Sequence, residues 1–224
     1  MIEWIEDLEF ELHEKANDSR AIAQAAYMKN HFLFYGIESA IRKDIAKLWI
    51  QKYNLKSLNG KEKRTLINTL FHLEQREFHY IAIDFLNAFK SSEIELSDGH
   101  FIETLISLHS WWDSVDSIAS NYLGKYVKKF PEEGMELMEK WSFSENLWLM
   151  RSTLIFQLKY GQQTDFEFLK NRIYQFRNIN EFFIQKAIGW SLRQYSKFNK
   201  DEVKRFLSEI ELSNLARREA SKYL

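Results

Sequence analysis

Apolar residues recur at intervals of three and four along almost the whole chain, the period that puts one side chain per turn on a single helical face. Between Ile37 and Tyr53, the residues Ile41, Ile45, Leu48 and Trp49 fall on one stripe, with Arg42, Lys43 and Lys47 beside it. From Gly60 to Leu73 the stripe is Leu66, Ile67, Leu70 and Phe71, and from Phe78 to Phe89 it is Ile81, Ala82, Phe85, Leu86 and Phe89. The pattern breaks at Asn17-Asp18-Ser19, Asn59-Gly60, Ser97-Asp98-Gly99, Phe130-Pro131 and Gly161. The first and third of these breaks offer side chains that cap a helix start. The spacing predicts about a dozen helices of roughly 10–20 residues joined by short turns, and no strand.

Consecutive helix pairs recur about every 40 residues, near the spacing of HEAT-type repeats. The expected fold is therefore all-α, a HEAT-like solenoid of about six antiparallel helix pairs spanning 1–224 as a single repeat domain. A solenoid of this kind has a concave face, and such a groove suits a rod-shaped partner such as a nucleic-acid duplex. Composition fits this reading. Of 224 residues, 45% are apolar and 28% charged, with seven Gly and one Pro, so breakers are scarce and core material is ample.

There is no cysteine, which excludes disulfides, thiolate zinc sites and a Cys nucleophile, and suits a reducing, cytoplasmic setting. The N-terminus, MIEWIEDLEF, is acidic where a secretory signal would be basic. No apolar run approaches the ~18 residues that a membrane span needs. The net charge of -1 conceals an asymmetry, because residues 1–19 hold seven acids against the single base Lys15 and the remainder is net basic. Walker, Rossmann, HExxH and GxSxG motifs are all absent. The six His (His13, His31, His72, His79, His100, His109) are scattered and show no metal-ligand spacing.

Four clusters could carry chemistry. In His109-Ser110-Trp111-Trp112-Asp113-Ser114-Val115-Asp116, a helix puts Trp112 and Asp116 on one face, with Asp113 one turn before Asp116. A carboxylate beside an indole can stabilise a sugar cation or orient a water, while the indole packs on deoxyribose. The plain alternative is a core Trp and an Asp that supports a helix start. Arg151 stands in the nearly uncharged segment 147–160, so its guanidinium must find a carboxylate or a phosphate; an internal ion pair with Asp116 would satisfy it equally well. Lys186, Trp190 and Arg193, spaced by four and three, share a helical face and read either as a phosphate-and-sugar contact or as a snorkelling surface. Gly189 beside them permits a close approach. The fourth cluster runs from Ala26 to Ile37, turning on Gly36, with Tyr27 and Lys29 able to reach a ligand.

Jointly, the strings YMKNHFLFYGI (27–37), SWWDSVDSIA (110–119), LWLMRSTLIFQLKY (147–160) and EFFIQKAIGWSLRQYSK (181–197) resemble the AlkD family of DNA glycosylases. Arg76-Glu77-Phe78 and Arg218-Glu219-Ala220 fit as well, and the likeness runs through nearly the whole chain in order. The resemblance implies excision of cationic N3- and N7-alkylated purines from duplex DNA by a monomer, without a metal, a cofactor or a base-flipping pocket. It implies that Asp116 is the catalytic carboxylate and that Trp112 and Trp190 frame the lesion's deoxyribose. Arg151 would meet a phosphate and position Asp116, and Asp113 would be structural. It also implies that Tyr27, Lys159 and Arg193 contact DNA, and Lys29, Arg42, Lys43 and Lys186 are expected to join them as DNA contacts. Ala40 and Ile41 depart from the family, whose members often carry Pro and Glu before the basic pair Arg42-Lys43. Two other readings stay open on the residues: a non-catalytic solenoid that binds distorted DNA, and a HEAT-type protein–protein scaffold.

Overall fold

The computed structural model describes residues 1–224. Fourteen α-helices make up the chain, joined by short turns, and the single extended pairing is an isolated parallel bridge between Leu33 and Gln75. No helix is long and apolar enough to cross a membrane. The residues pack as two compact units, Met1–Phe89 and Lys90–Leu224, each with its own core.

The first unit holds α1 (Ile2–Glu14), α2 (Asp18–Tyr27), α3 (Ser39–Lys52), α4 (Gly60–Phe71) and α5 (Arg76–Asn87). Two starts are fixed by side chains. Asn17 accepts the Arg20 N–H at 2.9 Å, and Asn59 and Glu62 bond each other's backbone N–H in a reciprocal capping box. Helices α1 and α5 both pack on α3, and α4 packs on α5. The α3 stripe is narrower than its sequence suggests. Ile45 and Trp49 are buried, but Ile41 and Leu48 are 38% and 65% exposed, because α1 and α5 cover one side of the helix only.

A buried carboxylate organises the loop between α2 and α3. Glu77, 1% exposed, accepts the N–H groups of Tyr35, Gly36 and Ile37 at 3.1, 3.0 and 3.2 Å. Three charge-assisted bonds satisfy backbone donors that would otherwise be stranded out of water. The loop can approach α2 only because residue 36 is glycine. Its φ is +81°, and a Cβ there would lie 2.2 Å from the Asn17 carbonyl oxygen. Beside it, the Arg76 guanidinium sits 3.8 Å above the centre of the Phe32 ring. Glu77→Ala is therefore expected to destabilise the protein by about 3 kcal/mol, since each buried donor left unpaired costs roughly 1–3 kcal/mol. Urea denaturation measures this, and a loss under ~1 kcal/mol would contradict the role given to Glu77.

The second unit runs through α6 (Asp98–Ser107), α7 (Trp112–Ile118), α8 (Gly124–Lys129), α9 (Pro131–Ser142), α10 (Leu147–Ile155), α11 (Phe166–Phe176), α12 (Phe182–Tyr195), α13 (Lys200–Glu209) and α14 (Asn214–Ala220). Asn146, Asp165, Asn199 and Ser213 cap α10, α11, α13 and α14 through their side chains, and Pro131 opens α9. At the break Ser97-Asp98-Gly99, Ser97 makes no side-chain cap. Instead, the buried Asp98 carboxylate accepts the Glu95 N–H and the Tyr122 hydroxyl, both at 2.8 Å, and so secures the start of α6. A π-helical turn, Ala119–Leu123, joins α7 to α8 without a break. There the Ser120 hydroxyl and the Asn121 amide donate to the carbonyls of Asp116 and Ser117, competing with the regular backbone ladder. Helix α10 packs against α7 and α12, and α12 packs most closely against α14. The core between them includes Val115, Ile118, Leu154, Ile188 and Leu192, all 1% exposed or less.

Candidate functional site

One open cleft of about 280 Å³ in the second unit gathers residues from four helices. Helix α7 contributes Trp112 and Asp116, α10 contributes Arg151, and α14 contributes Glu219. Helix α12 contributes Phe182, Phe183, Lys186, Trp190 and Arg193. The helical period explains why. Trp112 and Asp116 stand one turn apart on α7, while Lys186, Trp190 and Arg193 form one stripe of α12 whose other faces are buried.

Asp116 and Arg151 form the centre. Arg151 Nε donates to Asp116 Oδ1 at 2.7 Å and Nη2 to Oδ2 at 2.8 Å, a fork-to-fork pair. The third guanidinium nitrogen, Nη1, donates to the Phe183 carbonyl oxygen. The Arg151 and Asp116 side chains are only 5% and 15% exposed. The internal ion pair expected for Arg151 is thus made with Asp116; it ties α7 to α10 and fixes the orientation of the carboxylate. Burial pushes the Asp116 carboxyl above its ordinary value of 3.8; the hydrogen bonds and charge of Arg151 act against that rise, and the charge of Asp113 adds to it.

An aromatic wall backs the pair. Trp148 and Phe183 lie 4.9 Å apart between ring centres, Trp111 lies 5.2 Å from Phe183, and Phe182 lies 5.3 Å from Phe183. Such packing keeps water from the back of the guanidinium and strengthens its field. Phe182, Phe183 and Glu219 were not singled out from the sequence as site residues. For the phenylalanines the signal was their place in the same string as Lys186 and Trp190.

Glycine 189 sets the distance between α12 and α14. A Cβ on it would fall 2.4 Å from the Glu219 Cβ and 2.7 Å from the Ala216 carbonyl oxygen, both rigid. The close approach anticipated at this glycine is therefore made by the chain's own last helix.

Other candidates stand elsewhere. Lys159, just beyond α10, is exposed and bonds the Asn121 side chain, with Lys125 close enough for its charge to be felt. In the first unit, Tyr27 and Arg42 line a depression of about 420 Å³ together with Gln24 and Tyr80. Arg42 stacks 4.6 Å over the Tyr80 ring and reaches Asp84 at 3.3 Å. Tyr27 is 69% exposed, and Lys29 and Lys43 are exposed as well. Lys29 has φ +58°, a left-handed conformation that strains a residue bearing a Cβ. Ala40 and Ile41 occupy the exposed first turn of α3. No group of three or more His, Asp or Glu side chains is placed to hold a metal ion.

Gly189→Ala tests the packing. Helix propensity favours Ala by ~1 kcal/mol, but overpacking against rigid neighbours typically costs about 1–3 kcal/mol, so a net loss is expected. Chemical denaturation of the variant should show it, and a gain in stability would refute the contact.

The family model described as DNA alkylation repair enzyme matches residues 8–224. Among solved structures, a protein described as "predicted DNA alkylation repair enzyme" from Enterococcus faecalis is 34% identical, with a TM-score of 0.85 over 94% of this chain and 97% of that one. AlkD2 from Streptococcus mutans is 18% identical, with a TM-score of 0.62 over 84% of this chain and 91% of its own. The smu.31 protein of Streptococcus mutans UA159 is 19% identical, with a TM-score of 0.61 over 83% and 96%. The last two show likeness of fold. No curated protein matches the chain.

Proposed function

Because the chain belongs to the DNA alkylation repair enzyme family, we propose that it is a monofunctional DNA glycosylase that hydrolyses the N-glycosidic bond of cationic alkylated purines, 7-methylguanine and 3-methyladenine, in duplex DNA. The observation that carries this reading is the meeting of Trp112, Asp116, Arg151 and Trp190 in one cleft. Alkylation at N3 or N7 places positive charge on the purine, so the base leaves as a neutral molecule when the bond electrons pass to it. The deoxyribose is left as an oxocarbenium-like cation. A fixed carboxylate, held at both oxygens by Arg151, stabilises that cation and orients the water that adds to the anomeric carbon. The indoles of Trp112 and Trp190 pack on the sugar and exclude solvent. Lys186 and Arg193 hold the adjoining backbone. The scheme calls on no metal or other cofactor.

The lining supports a mechanism that does not read the base. A pocket for a flipped base presents hydrogen-bonding groups to its Watson–Crick edge. In this cleft both carboxylates are already engaged, Asp116 by Arg151 and Glu219 by Lys186 and Arg193, and much of the remaining lining is aromatic. Selectivity then rests on the lability and charge of the lesion.

Asp116→Asn should lower single-turnover release of methylated purines by roughly 10²–10³-fold, the scale for losing a preorganised electrostatic group. The variant also leaves the buried Arg151 without its anionic partner, so a stability loss of about 1–3 kcal/mol should accompany the lost activity. Release is therefore measured well below the variant's melting temperature. Wild-type rates in the variant would sink the assignment of Asp116. Tight, salt-dependent duplex binding by the wild type with no base release would favour the non-catalytic reading.

The pH profile gives a separate check. Excision needs the ionised carboxylate, and Asp116 is raised above 3.8 chiefly by burial. The rate should fall as pH drops through a midpoint above 3.8. Asp113→Asn removes a charge that helps raise Asp116, so it should move that midpoint downward. A midpoint at or below 3.8 in the wild type would contradict the assignment.

A further inference from the structure

The two cations that α12 presents to the cleft do not stand alone, for a single carboxylate on α14 holds both. Glu219 Oε1 accepts Lys186 Nζ at 3.0 Å, and Oε2 accepts Arg193 Nη1 at 2.5 Å and Lys222 Nζ at 2.8 Å. The anion is the buried member of the group. Its side chain is 6% exposed, against 38% for Lys186 and 21% for Arg193. Hydrogen bonds from Lys222 and Lys186 hold its carboxyl at about 2, so it stays ionised at any working pH. Three cations on one anion leave a net positive cluster whose accessible side is cationic.

We infer that Glu219 is a positioning residue for the DNA backbone. It sets Lys186 and Arg193 as a prearranged pair that grips the phosphate beside the lesion, and so fixes the distance from that phosphate to Asp116. This rests on the glycosylase reading above. Lysine and arginine side chains have large rotamer freedom to lose, so free ones would be ordered only when DNA arrives. Here the ordering precedes binding. Each ammonium and the guanidinium have several N–H donors, so a phosphate can be bound without giving up Glu219. The close contact at Gly189 places the Glu219 Cβ against α12, which leaves the carboxylate little freedom to wander.

The competing explanation is that the cluster only glues α14 to α12, and charge separates the two. Glu219→Gln keeps the shape and the Gly189 contact while removing one negative charge. It should bind undamaged duplex more tightly, with a salt slope steeper by about one unit. Its single-turnover base release should nonetheless be slower by roughly tenfold or more, because the phosphate grip is no longer set. Binding and rate then move in opposite directions, which a mere glue would not produce. Glu219→Asp keeps the charge but is one methylene short, so its salt slope should stay unchanged while release slows; it carries the test if the Gln variant does not fold. Release at the wild-type rate by either folded variant overturns the inference. Weaker duplex binding with a shallower slope in Glu219→Gln overturns it as well. A wild type that binds duplex yet releases no base would sink the proposed activity, while the slope comparison would still decide whether Glu219 restrains the cationic pair.

Discussion

The cleft of the second unit is organised by how one buried guanidinium is satisfied. Taking a charge out of water costs several kcal/mol, and the cost is offset only where geometry is good and the remaining donors find partners. Arg151 meets that demand with both oxygens of Asp116 and the carbonyl of Phe183. Those partners come from α7 and from the first turn of α12, while Arg151 itself is on α10. Three helices are thus brought into register around one planar group. The rigidity that suits a preorganised carboxylate and the rigidity that holds the unit together have the same source.

Around this pair, short-range packing and longer-range charge divide the work. The rings of Trp111, Trp148 and Phe183 pack behind it and lower the local dielectric. On the open side, α12 presents an indole between two cations, and α14 supplies their shared counterion. The small residue at 189 lets the last helix come near enough to do so. Had the two helices been held apart by an ordinary side chain, Glu219 would not sit beneath both cations.

The helical period made much of this legible from sequence. The common face of Lys186, Trp190 and Arg193 needed only the spacing of four and three, and an arginine in an otherwise uncharged segment pointed to a buried partner. The limits are equally physical. Glu219 lies 33 residues from Lys186 along the chain, and although Arg218-Glu219-Ala220 belongs to the resemblance, nothing in that string tells which cations the carboxylate meets. The outward turn of Leu48 depends on which neighbours cover α3, which no local pattern records. The break Ser97-Asp98-Gly99 offered two side chains for the helix start, and only the buried Asp98 carboxylate secures it. The DNA contacts expected of Arg42, Lys43 and Lys159 came from resemblance, since a surface cation carries no local sign of its ligand, whereas the residues alone marked Tyr27 and Lys29 as able to reach a ligand without saying which.

The π-helical turn at Ala119–Leu123 has one further consequence. It begins three residues after Asp116 and contains Tyr122, whose hydroxyl secures Asp98 in the core. A π turn holds one residue more than an α turn, and each residue of an α-helix advances the side chains by about 100°. The extra residue therefore acts as a phase adjuster within a single rod. It allows Trp112 and Asp116 to face the cleft while the residues beyond it keep their hold on the interior. Losing one residue there would leave both ends helical but out of phase, so that facing the cleft and anchoring the interior could no longer be met at the same time. The length of this segment, more than the identity of any side chain in it, is what the chain must preserve.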